Sequence, residues 1–221
     1  MNEQTLKIGD YTLHFYPCED KKRPVFYLQM DDERAQEIAS QMAGLCTLIC
    51  IDGTDWNLDL SPWKAEKVFR RGEDFAGGGP EYLEVLTKTL IPKAEEALGF
   101  VPDKRGIGGY SLGGLFALWA GYESALFTHI ASVSGSLWFD GFLAYALSRD
   151  LKNPDACVCL SLGDAEHKSR NARMAQVKDC TEKIAAHLSL SHRVISQQNP
   201  GNHFNDPEGR IIRALKALCK I

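Results

Sequence analysis

A serine flanked by glycines constrains the fold of this chain more than any other stretch. The residues Gly109-Tyr110-Ser111-Leu112-Gly113 follow the short run Lys104–Gly108 and open the apolar segment Leu112–Gly121. A serine between a strand and a helix needs a tight turn, and a glycine two residues to either side avoids colliding side chains. The pattern predicts a strand-to-helix turn that projects the serine hydroxyl above a sheet edge, at a helix N-terminus.

Patterns of strand and helix alternate along the rest of the chain. The predicted strands are Tyr11–Tyr16, Pro24–Met30, Cys46–Ile51, Lys104–Gly108, Phe127–Ser134, Ala156–Leu162 and Arg193–Gln198. The predicted helices are Glu33–Ala43, Pro80–Ala97, Leu112–Gly121, Phe142–Ser148, Asn171–Leu188 and Pro207–Leu218. This alternation predicts an α/β fold, with a mostly parallel central sheet and helices on both faces. With 221 residues and no internal repeat or linker, we expect a single domain over residues 1–221.

Residues 52–79 form the longest stretch without a periodic pattern. The stretch begins at Asp52, ends at the glycines 77–79 and contains Trp56 and Trp63. A loop of that length in a compact domain usually has a function. We therefore expect residues 52–79 to form an active-site loop or lid.

Acidic and imidazole groups follow two later strands. The predicted strand Ala156–Leu162 ends in a turn with Asp164 and Glu166, and the predicted strand Arg193–Gln198 runs into a loop with His203. In parallel sheets such strand ends meet at one edge. A serine nucleophile needs a neighbouring base, and the base needs a carboxylate to fix its tautomer. The order along the chain predicts a nucleophile, an acid and a base, although spacing alone leaves Asp164 and Glu166 both open as the acid.

Composition excludes several other classes of protein. The formal charge of −4 and the absence of a basic run argue against nucleic acid as a partner. No apolar stretch approaches the ~20 residues that cross a bilayer, so we expect no membrane association. Residues 1–4 lack the basic start and apolar core of a secretory signal, so none is expected.

Cysteine usage indicates a reducing compartment. Seven cysteines form an odd set, and most lie inside apolar elements. Buried thiols of this kind fit a cytoplasmic protein. Cys157 and Cys159 share one face of a strand, but a metal site needs a second group of ligands, so no metal is expected.

Several motifs together resemble the esterase branch of the α/β-hydrolases, which includes esterase D, feruloyl esterase, mycolyltransferase and the siderophore esterases. These motifs are the serine turn, the Gly-Asp-x-Glu turn and the Gly-x-His-Phe loop. Asp55–Trp63 looks like the Ser-Pro-Trp-bearing loop of siderophore-esterase-like members, and Ser134–Phe139 is similar to their Ser-Gly-Ser-x-Trp segment. The resemblance covers roughly residues 24–206 and implies an α/β-hydrolase fold.

The resemblance also implies roles for individual residues. Ser111 matches the nucleophile and His203 the base, and the acid lies three residues past the strand-ending glycine, at Glu166. The oxyanion hole is expected to use the backbone N–H of Leu112. Its second donor comes from the loop after the first buried strand and is assigned to Asp31, in a loop with two aspartates where many relatives have a glycine.

The implied function is that of a cytoplasmic serine esterase acting on a small-molecule carboxylic ester through an acyl-enzyme, with no metal or organic cofactor. Trp56, Trp63 and Trp138 lie near predicted active-face loops and suit an aromatic or apolar acyl pocket. Two alternatives stay open. The same triad could transfer the acyl group to another alcohol or cleave an amide, or the chain could be a non-catalytic binding module with a hydrolase fold. The natural ester and the oligomeric state also stay open.

Overall fold

An eight-stranded sheet forms the centre of the molecule. The computed structural model describes residues 4–221, so residues 1–3, part of the stretch searched for a secretory signal, lie outside it. The strands are β1 (Gln4–Ile8), β2 (Tyr11–Tyr16), β3 (Val25–Gln29), β4 (Thr47–Asp52), β5 (Lys64–Ala65), β6 (Phe75–Ala76), β7 (Arg105–Tyr110), β8 (His129–Val133), β9 (Cys157–Gly163) and β10 (Arg193–Asn199). The sheet has the order β1-β2-β4-β3-β7-β8-β9-β10, while β5 and β6 pair separately. Only the pairs β1–β2 and β2–β4 of this sheet are antiparallel, and the other neighbours run parallel.

Eight α-helices accompany these strands within residues 4–221. They are α1 (Asp32–Met42), α2 (Trp56–Asp59), α3 (Gly79–Val85), α4 (Ile91–Leu98), α5 (Leu112–Glu123), α6 (Phe142–Leu147), α7 (Val177–Leu188) and α8 (Pro207–Leu218). A π-helical turn, Leu86–Leu90, joins α3 to α4. It ends two residues before Pro92, which has no N–H to donate to the helical hydrogen bonds.

Apolar side chains of the sheet alternate between two cores. Along β3, Val25 and Tyr27 enter one core, with residues of α3, α4, α5 and α7. Phe26 and Leu28 enter the other core, with residues of α1 and α8. Helices therefore cover both faces of a mostly parallel sheet, which confirms the predicted α/β class. The expected single domain over residues 1–221 stays a prediction.

The structure differs from the sequence prediction where side chains override local patterns. The helix predicted from residue 171 starts at Val177, because the Asn171 side chain accepts the N–H groups of Arg173 and Met174 and forms a turn instead. Within the predicted loop at residues 52–79, Asp55 caps the short helix α2. The loop also contains the β5–β6 hairpin. At one edge of the main sheet, β1 is an additional strand that the sequence patterns do not indicate.

In the part of the chain that the structure describes, no helix is both long and apolar enough to traverse a lipid bilayer.

All seven cysteines are free thiols, and every one except Cys219 is buried.

Candidate active site

Ser111 sits in a strained turn between β7 and α5. Its backbone has φ 56° and ψ −117°, a conformation that favours glycine and costs on the order of 1–3 kcal/mol for other residues. Backbone hydrogen bonds hold it there. Its N–H donates to the Val133 carbonyl at 3.0 Å, and its carbonyl accepts the N–H groups of Leu115 at 3.1 Å and Ser136 at 2.9 Å. The turn therefore exposes the hydroxyl at the carboxyl edge of the sheet.

The two glycines of this turn have different roles. A Cβ on Gly109 would lie 2.5 Å from the backbone carbonyl carbon of Gly113, so no side chain fits at position 109. A Cβ on Gly113 would meet the Trp56 ring at 3.5 Å and the Leu60 side chain at 4.0 Å, both ordinary contacts. The steric need expected for both glycines thus holds for Gly109 and is wrong for Gly113, because a Cβ there points toward the pocket and away from the preceding strand.

A chain of hydrogen bonds connects Ser111, His203 and Glu166. The Ser111 Oγ lies 3.0 Å from the His203 Nε2, and the His203 Nδ1 lies 2.8 Å from the Glu166 Oε2. Since the carboxylate can only accept, Nδ1 carries the proton and Nε2 is free to accept the serine proton. This geometry is that of a nucleophile with its general base and an orienting acid.

Asp164 contacts the same histidine loop at a different point. Its Oδ1 accepts the N–H of Gly201 at 2.9 Å, and its side chain is exposed. Asp164 therefore fastens the turn after β9 to the loop after β10, while Glu166 reaches the imidazole.

The Glu166 carboxylate is buried and heavily hydrogen-bonded. Its Oε1 accepts from the Ser134 hydroxyl at 2.7 Å and from the Gly163 N–H at 2.7 Å. Burial raises the pKa of Glu166, but the hydrogen bonds from His203, Ser134 and Gly163 outweigh it and bring the pKa below its ordinary value. The group is thus held as a carboxylate at neutral pH.

Arg210 completes this cluster and was missed from sequence. It is fully buried on α8, and its Nη1 lies 2.8 Å from the Glu166 Oε1 and 2.9 Å from the Ser134 Oγ. One signal could have revealed it. Arg210 shares the apolar stripe of its helix with Ala214 and Leu218, where a cation needs a buried partner.

A largely apolar cavity of about 300 Å³ opens beside Ser111, and we call it the Ser111 pocket. Its aromatic and thioether lining consists of Trp56, Phe69, Phe75, Trp138, Met174 and Phe204. Three of these are unusually exposed for large apolar side chains, Trp56 at 40%, Phe69 at 57% and Phe204 at 76%. A second cavity adjoins it across Trp138, Met174 and His203. The lining includes residues of the predicted loop at 52–79, so this segment forms one wall of the pocket.

Two residues expected at the site are not in the lining of the Ser111 pocket. Trp63 lines a separate groove, packs against Phe139 and donates its indole N–H to the Asp140 carbonyl at 2.8 Å. Asp31 lines a neighbouring cavity and caps α1 by accepting the Arg34 N–H at 3.0 Å. Aromatic packing therefore fixes the Trp63 ring away from the Ser111 pocket. The capping contact involves only the Asp31 side chain, so the expected donation by the Asp31 backbone N–H stays a prediction.

Leu112 and Ser136 line the Ser111 pocket together with Ser111. Leu112 is the first residue of α5, and N–H groups in a first helical turn have no partner within the helix. The Ser136 Oγ lies 3.4 Å from the Ser111 Oγ, a proximity that no sequence pattern indicated. The Leu112 N–H therefore has no acceptor within α5, as the predicted oxyanion donor requires.

Comparison with known proteins gives consistent results for sequence and structure. The model of a family described as "Putative esterase" matches residues 28–192. The chain is 31% identical over 138 residues to the uncharacterized protein YbbA of Bacillus subtilis (strain 168). That alignment takes in 61% of this chain and 54% of the Bacillus protein, so the chain spans about half the length of this relative.

Two solved structures share the fold. The IroE-like serine hydrolase of Shewanella oneidensis superposes with a TM-score of 0.78 at 17% identity, covering 99% of this chain and 80% of that one. The siderophore hydrolase EstA of Aspergillus nidulans gives a TM-score of 0.75 at 17% identity, covering 99% of this chain and 93% of the other. The fold is that of the α/β-hydrolases.

Proposed function

This chain belongs to the Esterase family, and we propose that it hydrolyses carboxylic esters through Ser111, His203 and Glu166. The observation that carries the proposal is the hydrogen-bonded chain from the Ser111 Oγ through the imidazole to the buried carboxylate, at 3.0 Å and 2.8 Å. Such a chain activates a hydroxyl that is otherwise a poor nucleophile.

In the proposed mechanism, the Ser111 Oγ attacks the ester carbonyl while the His203 Nε2 takes the serine proton. Glu166 keeps the proton on Nδ1 and stabilises the imidazolium that forms. The Leu112 N–H donates to the oxyanion of the tetrahedral intermediate. His203 then protonates the leaving alcohol. Water attacks the acyl-enzyme with His203 again as the base, and Ser111 is released.

The proposed substrate is a small-molecule ester with an aromatic or bulky apolar acyl group. The aromatic lining of the Ser111 pocket supports this class, because aromatic surfaces bind flat apolar groups well. A siderophore hydrolase with the same fold is consistent with a bulky substrate. We also retain a cytoplasmic location as a proposal, supported by the seven free thiols.

The test combines a covalent probe with two substrates. A fluorophosphonate should label the wild-type protein once and leave Ser111→Ala unlabelled, and p-nitrophenyl acetate and p-nitrophenyl benzoate should both be hydrolysed. An unlabelled and inactive wild type would instead indicate a binding module. Adding an alcohol to the acyl-enzyme separates hydrolysis from acyl transfer, because a transferase gives the new ester in preference to the free acid.

A further inference from the structure

Arg210 holds the acid and the histidine loop at the same time. Its Nη1 is bonded to Glu166, while its Nη2 donates to the Pro200 carbonyl at 2.9 Å and to the Asn202 carbonyl at 2.8 Å. Pro200 and Asn202 lie in the loop that carries His203. One guanidinium therefore connects the Glu166 carboxylate to the loop that carries His203, and so fixes the position of the acid relative to the imidazole.

Tyr110 adds a second connection to the same loop. Its hydroxyl donates to the His203 carbonyl at 2.6 Å and lies 3.3 Å from the Arg210 Nη1. The backbone of the histidine is thus fixed by the residue just before the nucleophile, and that residue in turn contacts the buried cation.

The Glu166–Arg210 pair is almost completely removed from water. The side chain of Arg210 is 0% exposed and that of Glu166 is 3% exposed. A buried carboxylate without a cation tends to take up a proton, and so does an imidazole beside an uncompensated anion. A neighbouring positive charge opposes both events.

We propose that Arg210 is a positioning residue whose charge keeps the Glu166–His203 pair from taking up a proton, so that His203 stays a free base to lower pH. This inference rests on the proposed function for its catalytic meaning. The direction of this effect is the same whether Glu166 or His203 would accept the extra proton, because a cation beside the pair disfavours protonation of either residue.

The other groups around the pair are compatible with this role. Besides Arg210 and His203, Tyr110 is the titratable side chain that contacts the cluster, and burial raises its pKa, so it stays neutral. The remaining charged or titratable residues on the elements that carry the pair and its cation are Asp164, His167, Lys168, Asp206, Glu208, Arg213 and Lys216. Most of these are exposed, so water screens them far more than it screens Arg210.

An NMR titration of the His203 imidazole tests the proposal without requiring activity. In an otherwise identical Ser111→Ala background, Arg210→Gln should move the titration midpoint up by about 1 pH unit or more. Arg210→Lys should titrate like the parent, because it keeps the charge. Arg210→Met is the second neutral variant, should the glutamine variant not fold.

Arg213→Gln is the matched control. Arg213 lies on the same helix, is 45% exposed, and bonds Asn199 and Asp206 rather than the triad. Its removal should leave the midpoint unchanged. An unmoved midpoint in a folded neutral variant would overturn the proposal, as would an equal shift in Arg213→Gln or a rise in Arg210→Lys. The proposed function is tested separately by fluorophosphonate labelling of Ser111. If that function is wrong, Ser111 is not labelled, but Arg210→Gln still shifts the titration midpoint.

With Ser111 restored, the rate profile gives a second readout. In Arg210→Gln and Arg210→Met, the acidic limb of the pH profile of kcat/KM should shift to higher pH by the same amount as the NMR midpoint. A residue that only supported the fold would lower the plateau and leave the limb in place.

Discussion

Asp164 and Glu166 project from one turn to two different atoms of the same loop. Asp164 accepts the Gly201 N–H at 2.9 Å, and Glu166 accepts the His203 Nδ1–H at 2.8 Å. Both carboxylates therefore hold the histidine loop, but only one contacts the imidazole.

Exchanging each carboxylate for its amide should separate these roles. Glu166→Gln should lower kcat by roughly 10²–10⁴, because the amide cannot hold the imidazole tautomer or stabilise its positive charge. It should also destabilise the fold, since Arg210 then remains buried without an anion. Asp164→Asn should cost about 1 kcal/mol at most and retain most of the activity. Esterase rates and thermal melts of both variants check this, and a crippled Asp164→Asn beside an active Glu166→Gln would contradict it.

Replacing the nucleophile should affect rate and stability differently. Ser111→Ala and Ser111→Gly should each lose on the order of 10⁶ in kcat. Because Ser111 has φ 56°, glycine relieves strain that alanine keeps, and we expect the glycine variant to be more stable than the alanine variant by about 1 kcal/mol. Urea unfolding of the two inactive proteins measures the difference, and equal midpoints would show that the turn is not strained.

The two glycines of the turn provide a matched pair. Gly109→Ala should destabilise by about 2 kcal/mol or more and abolish activity, since its Cβ collides with the Gly113 backbone. Gly113→Ala should change stability by less than about 1 kcal/mol, because it adds a methyl group beside Trp56 and favours the helix. Thermal melts and fluorophosphonate labelling distinguish them. Similar losses in both variants would be inconsistent with the different clearances at the two glycines.

Acid should remove the contribution that the Glu166 carboxylate makes to the free energy of unfolding. The pKa of Glu166 in the folded protein lies below its ordinary value, so its contribution is fully present above the ordinary glutamate pKa of about 4.3. It is lost as the pH falls through the folded value. Melting temperatures between pH 3 and 7, at intervals of about 0.5, should therefore drop more steeply below about pH 4 for the wild type than for Glu166→Gln. Parallel curves would argue against this carboxylate as a source of acid lability.

Two tryptophans should separate binding from folding. Trp56→Ala should raise KM for p-nitrophenyl benzoate with little loss of stability, because the indole lines the Ser111 pocket and is 40% exposed. Trp63→Ala should leave KM unchanged and cost about 2 kcal/mol or more, since its ring packs among Phe139, Phe142 and Tyr145. Kinetics at saturating and subsaturating ester, with melts, check both. The reverse pattern would restore Trp63 to the pocket.

Local signals accounted for most of the fold. Strand and helix periodicities of single segments, together with the preference of parallel sheets for flanking helices, led to the α/β class that the structure confirms. The glycine-flanked serine, the Gly-Asp-x-Glu turn and the Gly-x-His-Phe loop each carry their own local signature. The local patterns therefore indicated Ser111 and His203, whereas the choice of Glu166 over Asp164 depended on the family resemblance.

Long-range packing determined what the sequence did not reveal. Arg210 contacts a glutamate 44 positions earlier, and no local pattern encodes that pairing. Trp63 lies near the right motif, but an aromatic cluster fixes its ring outside the Ser111 pocket. The course of residues 52–79 depends on bonds to a distant segment, such as the Asn171 amide to the Val68 carbonyl at 2.9 Å.

The location of Arg210 on α8 has a consequence for how the protein is made. Ser111, Glu166 and His203 all leave the ribosome before Arg210 does, because synthesis proceeds from the N-terminus. A nascent chain that already contains Ser111, Glu166 and His203 still lacks the cation that lies beside the buried Glu166 carboxylate. The surroundings of that carboxylate are therefore complete only once α8 has packed against the sheet.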